Sequence, residues 1–93
     1  MLRVVVDKSV SSALAKLTPD TQAEVFAELR RLPGAFGRPH IHAGLGIRQL
    51  RPGVYEARVG LEVRVVFERD GDLLVIKTVG DHGNVRRYLR NRT

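Results

Sequence analysis

At 93 residues, 43% hydrophobic and 28% charged, the chain has room for one soluble globular domain, 1–93, with a modest core. It holds no cysteine, which excludes disulfides, thiolate metal sites and a cysteine nucleophile. No apolar run reaches signal-peptide or membrane-span length, so a cytoplasmic location is expected, with no membrane partner.

Met1–Asp7 is a β-branched run and reads as a strand paired inside a sheet. Ser9 can cap a short helix whose Val10, Ala13, Leu14 and Leu17 share one face. Thr18 is the N-cap of a second helix, with Pro19 at its first position and Asp20 and Glu24 near its positive end. Val25, Phe26, Leu29 and Leu32 form the buried stripe of that helix, and Pro33-Gly34 is expected to stop it. The two helices then make an antiparallel pair laid on the sheet. Pro33 to Gly46 carries four glycines and two prolines, so a long loop is expected, and such loops are often functional.

Ile47–Leu50 starts the next strand, and Arg51-Pro52-Gly53 turns it into a hairpin. Val54–Val59 follows, then a turn at Gly60-Leu61 and a strand over Glu62–Arg69, where Val63, Val65 and Phe67 alternate with Glu62, Arg64 and Glu68. Asp70-Gly71-Asp72 supplies another tight turn. Leu73–Val79 is nearly all apolar, which suggests a central strand covered on both faces. Gly80 releases the chain into a basic helix over Asn84–Arg92. The fold class is α+β: an N-terminal strand and two-helix hairpin packed on a small antiparallel sheet, with a C-terminal helix.

Sixteen Lys and Arg against ten Asp and Glu give a formal net charge of +6, and thirteen of the sixteen are Arg. Residues 38–93 hold eleven of these bases and only six acids. Arg forks onto phosphate in a way Lys cannot, so nucleic acid is the leading partner class. The arginine bias of a GC-rich genome is the plain alternative. Alternation puts Arg58 and Arg64 on one face of neighbouring strands, with Arg48 or Arg51 beside them. Cations gathered on a rigid sheet repel one another unless an anion is expected there, although Glu56, Glu62 and Glu68 could instead neutralise them as a solvated face.

His40 and His42 form an H-x-H pair and His82 is the third histidine. No cysteine or nearby carboxylate supports a closed zinc site, so no metal and no cofactor is expected. His82 follows Gly80-Asp81 at a strand end. An imidazole there suits proton transfer, or it is an ordinary helix-start residue. Tyr88 lies beside the apolar side of the last helix among Arg86, Arg87, Arg90 and Arg92. It is either a structural tyrosine or a stacking aromatic in a cationic setting.

The segment GVYEARVGLEVRVVF, then DGDLLVIKTVGDH, then VRRYL, resembles the RelE/ParE superfamily of bacterial type II toxin–antitoxin systems. The similarity covers the chain in outline and is sharp over Leu50–Leu89. RelE-like members are ribosome-dependent mRNA endoribonucleases that inhibit translation. In these enzymes the ribose 2′-OH attacks the adjacent phosphate in line, without a metal, leaving a 2′,3′-cyclic phosphate and a 5′-OH. The resemblance implies that Arg58 and Arg64 hold the scissile phosphate, that His82 occupies a strand-end position held by Arg or His, and that Tyr88 stacks on a base or transfers a proton. Arg48, Arg51, Arg86, Arg87 and Arg90 would contact mRNA in the ribosomal A site and ribosomal RNA. A cognate antitoxin is the implied protein partner. Two departures stand out: Glu56 takes a position that is basic in some members, and Val63 replaces the tyrosine that commonly precedes Arg64. The ParE branch shares the fold but inhibits DNA gyrase without being a nuclease, and an inactive antitoxin-binding homologue is a third reading.

Overall fold

The computed structural model describes residues 1–38 and 44–92. His40 and His42 lie outside the described residues. The elements run β1 (Arg3–Val6), α1 (Val10–Ala15), α2 (Pro19–Ala35), β2 (Arg48–Arg51), β3 (Val54–Val59), β4 (Val63–Asp70), β5 (Leu73–Gly80) and α3 (His82–Asn91). The strands form one five-stranded sheet in the order β1-β5-β4-β3-β2. Strands β2 to β5 pair antiparallel through successive hairpins, while β1 joins β5 in parallel. The architecture is the α+β arrangement the sequence implies.

Several local expectations change. β1 is an edge strand and not an interior one, and Val5 and Val6 are both more than two-fifths exposed. The middle of the sheet is β4, with β5 interior beside it. Ser9 makes no cap bond to α1; its hydroxyl and its N–H both donate to Asp7 Oδ1 at 3.0 Å. Thr18 does cap α2, accepting from the N–H of Thr21, with Pro19 in the first helical position.

Helix α2 runs through Pro33 to Ala35 and does not stop at Pro33-Gly34. The missing N–H costs one helical bond. Continuing the turn, however, buries Ala35 and carries Phe36 edge-on to Tyr55, with ring centroids 4.8 Å apart, and to Phe67 at 5.8 Å. Phe26 is 44% exposed, and its place in the buried stripe is taken by Glu28. Among the described residues Glu28 Oε2 has no hydrogen-bond partner, and burial pushes its carboxyl above the ordinary range.

Alternation in β3 and β4 sends side chains to two different cores. Ala57, Val59, Val65 and Phe67 join Val10, Val25, Leu29, Leu32, Leu74 and Ile76 under the α1–α2 pair. Fully burying each large aliphatic or aromatic side chain contributes about 1.5–3 kcal/mol, so this layer dominates the stability. On the opposite face Val54 and Val66 meet Val85 of α3, with Leu50, Tyr88 and Leu89 around them. α3 is too short to cover that whole face. The uncovered end is where the charged residues of β3 and β4 emerge.

Candidate active site

In the β3–β4 register Val54 stands opposite Glu68, Glu56 opposite Val66, and Arg58 opposite Arg64. The first two rows lie under or beside α3. The third lies beyond its N-terminus, and Arg64 is itself opposite Gly80 of β5. A cleft of about 390 Å³ opens there, lined by Arg48, Glu56, Arg58, Arg64 and His82 together with Gly46 and Ile47.

Glu56 is the internal counter-ion. It is buried, at 4% exposure, with Oε2 3.0 Å from Arg48 and 4.0 Å from Arg64. Its Oε1 has no hydrogen-bond partner among the described residues. The Arg64 side chain is only 12% exposed and also donates to the carbonyl oxygens of Leu61 and Val63, so it is held rigidly rather than standing free in solvent. Arg58 is exposed and has no ion-pair partner among the described residues. One arginine is thus fixed, and the other is exposed without an ion pair among the described residues.

Glycines on both sides shape this cleft. Gly46 has φ +67°, and a Cβ there would lie 3.1 Å from Arg58 Cβ and 3.4 Å from its Nε. Only glycine combines that backbone conformation with so close an approach. At Gly80 a Cβ would lie 2.4 Å from Asn84 Oδ1. That oxygen accepts from the N–H of Asp81, while Asp81 Oδ1 accepts from the N–H of Asn84, a reciprocal capping box that starts α3. His82 is therefore the first residue of α3, two positions earlier than the expected start at Asn84. Its Cα is fixed between the two capping residues. The Asp-x-x-Asn spacing was a readable signal for this start. The role of Gly46 was not readable, since it depends on an approach made in three dimensions.

Tyr88, expected to join this set, is placed elsewhere. Its hydroxyl donates to Glu68 Oε2, and Arg92 pairs with the same carboxylate through Nε at 2.8 Å and one terminal nitrogen at 3.1 Å. Burial, and then Glu68, push the Tyr88 hydroxyl up to about 12. The Arg92 hydrogen bonds chiefly hold Glu68 below the usual carboxylate range. Arg51 reaches the other end of the molecule's basic face and donates to the Leu89 carbonyl at 3.1 Å. Arg86, Arg87 and Arg90 are exposed on α3, and Arg87 faces the flank away from the Arg58–Arg64 cleft. Among the described residues no group of three His, Cys, Asp or Glu side chains could hold a metal ion, and no helix is long and apolar enough to cross a membrane.

No family model matches the chain, and no curated protein matches it. Solved structures do. The chain is similar to a RelE–RelB complex from Pyrococcus horikoshii, at 23% identity over 88% of this chain and 96% of that one, with a TM-score of 0.67. A RelB–RelE antitoxin–toxin complex from Methanococcus jannaschii aligns over 90% and 96% with a TM-score of 0.70 at 15% identity. A YoeB–YefM complex from Staphylococcus aureus aligns over 88% and 98%, at 17% identity and a TM-score of 0.63. At these identities the likeness is one of fold, and the fold is that of RelE-like toxins from toxin–antitoxin complexes.

Proposed function

We propose that this protein is the toxin of a toxin–antitoxin pair and that the Arg58–Arg64 cleft cleaves mRNA on the ribosome. The observation that carries the reading is the cross-strand pair of arginines, one braced by Glu56 and one unpaired, with His82 at the same cleft. Two like charges directly opposite each other weaken a sheet. A bound phosphate diester would offset that repulsion, and the arginine forks would gain as charge builds on its non-bridging oxygens in the transition state.

In the proposed reaction the 2′-OH gives up its proton as its oxygen attacks the neighbouring phosphorus. The bond from phosphorus to the 5′ oxygen breaks opposite it. The products are a 2′,3′-cyclic phosphate and a 5′-OH that has taken up a proton. Arginines stay protonated and cannot carry that proton. His82 can, and the capping box holds its backbone in place. Glu56 is committed to Arg48 and Arg64, and Tyr88 to Glu68, so we assign Glu56 the bracing of the arginines and Tyr88 the anchoring of α3. The complexes among the structural neighbours support an antitoxin as partner, and the basic face suits an acidic segment of it.

Expression of the chain alone should arrest growth, with pulse-labelled protein synthesis falling before DNA synthesis and new mRNA 5′ ends appearing by primer extension. DNA breaks preceding the loss of translation would instead support gyrase inhibition. In single-turnover cleavage His82→Gln should lose on the order of 10²-fold in rate. An unchanged rate would return His82 to a plain helix-start residue.

A further inference from the structure

Helix α3 stands on the sheet face as a ridge, and its two flanks are both open. One flank is the Arg58–Arg64 cleft. The other carries a second cleft of about 370 Å³, where Lys77 of β5 faces Arg87 and Asn91 of α3, with Asn84 towards its upper end. From His82 to Arg87 is five residues, a rise of about 7.5 Å and a rotation of about 140° around the helix. The clefts are therefore neighbours separated by the N-terminal turn of α3.

The charge in the second cleft is positive. Its one carboxylate, Asp7, is already engaged: Oδ1 accepts from the N–H and the hydroxyl of Ser9, and Oδ2 lies 3.4 Å from Lys77 Nζ. The Lys77 ammonium keeps donors to spare, since it has three. Arg87 has no ion-pair partner among the described residues. Asn84 has Oδ1 tied into the capping box, which leaves its side-chain N–H₂ to donate. Tyr88 is the aromatic side chain that lines this space, its hydroxyl held by Glu68, and among the described residues no aliphatic side chain lines it. Two cations with planar amides beside them suit a phosphodiester and the polar edge of a base.

We propose that this cleft is a second RNA subsite, which holds the phosphate and base of a nucleotide flanking the scissile one as the strand crosses the start of α3. The assignment rests on the nuclease reading of the first cleft. It predicts that substrate length matters: a dinucleotide, with a single phosphate, reaches only Arg58 and Arg64, whereas a longer strand also reaches Lys77 and Arg87.

The test uses the whole protein and fluorescently labelled RNA hexamers and dinucleotides with 2′-O-methyl riboses, which block cleavage. These are titrated at several salt concentrations. Arg87→Ala should weaken hexamer binding about fivefold, the upper end for one exposed ion pair, and flatten the salt slope by about 0.7, the share of one single-strand phosphate. Asn91→Ala should weaken the hexamer without changing the slope. Dinucleotide binding should be the same in both variants, and Arg58→Ala should weaken both ligands. If Arg58→Ala weakens the hexamer and Arg87→Ala does not, the second subsite is overturned alone. If neither RNA binds, the second subsite is overturned alone; if binding is indifferent to Arg58, the nuclease reading falls and the subsite with it. If Arg87→Ala weakens binding of a polyglutamate peptide but not of the hexamer, the cleft belongs to an acidic protein partner and the RNA assignment is overturned.

Discussion

Arg58 and Arg64 occupy one cross-strand pair but stand in different surroundings, and their removal should differ accordingly. Arg58 is exposed and unpaired, whereas the Arg64 side chain is 12% exposed and touches two carbonyls and Glu56. In the proposed reaction each alanine variant should cut cleavage by about 10²–10³, the usual loss for one preorganised charge at a transition state. Arg58→Ala should melt no lower than the parent protein, since it removes the like charge opposite Arg64. Arg64→Ala should lose about 1–3 kcal/mol, because it leaves buried Glu56 with Arg48 as its remaining partner. For a domain of this size, each kcal/mol lowers Tm by about 4–8 °C. Equal melting temperatures for the two variants would show that Glu56 does not depend on Arg64. Glu28 presents the opposite case. Its folded-state carboxyl is raised by burial, with Arg31 only partly offsetting that, so ionisation works against the fold. The penalty is absent in acid and grows as pH rises from the ordinary carboxylate range through the raised value. Glu28→Gln should therefore raise Tm at pH 7 and leave it unchanged in acid, as read by thermal melts at both conditions.

At the level of elements, α3 is held to the sheet by few contacts. It buries Val85 against Val54 and Val66 with Leu89 partly buried beside it, and it is tied further by the Arg51–Leu89 hydrogen bond and the Glu68 junction with Tyr88 and Arg92. The Glu68 carboxyl is lowered in the folded state, so its stabilising effect is complete above the ordinary carboxylate range. It fades as pH falls through the lowered value. Tyr88 is raised to about 12, so its contribution is intact below the ordinary tyrosine range and fades as pH rises through 12. The junction is thus intact throughout the neutral range and opens in acid. Glu68→Gln should melt lower than the parent at pH 7, and the gap should close as the pH is brought down towards roughly 3. A gap that stays constant with pH would mean that the ionised carboxylate contributes nothing to anchoring α3. Because α3 also carries His82, loosening it bears on the proposed site as well as on stability.

For the whole molecule, the net charge of +6 is spread unevenly. The α1–α2 layer closes one face of the sheet, and the cationic groups of β2, β3, β4 and α3 gather on the other. Arg86 and Arg90 lie one helical turn apart, are exposed, and have no ion-pair partners among the described residues. Cations of this kind steer association with a polyanion more than they stabilise the bound chemistry. On the proposed function, an Arg86→Ala/Arg90→Ala double variant should therefore need more protein for half-maximal cleavage on ribosomes, with a weaker dependence on salt. The single-turnover rate at saturation should be unchanged. A fall in that saturated rate would place these arginines in the reaction itself.

Local sequence was enough for the order of the elements and for the faces of the strands. Period-two alternation in Val54–Val59 and Val63–Phe67 is a local property of the pleat, so it put Ala57, Val65 and Phe67 in the core and Glu56, Arg58 and Arg64 on the other face without any tertiary information. Thr18-Pro19 and Asp70-Gly71 act over a few residues and were legible for the same reason. Tertiary structure decided whatever depends on distant segments. The ring contacts of Phe36 with Tyr55 and Phe67 carried α2 past Pro33, and parallel pairing with β5, seventy residues away, made β1 an edge. The length of α3 against the width of the sheet left Arg58 and Arg64 uncovered. The meeting of Glu68, Tyr88 and Arg92 drew the tyrosine away from the arginine cleft to which the family resemblance had assigned it. A side chain's face is set by its neighbours in sequence, but its partners are set by chain closure, and only the folded molecule contains that information.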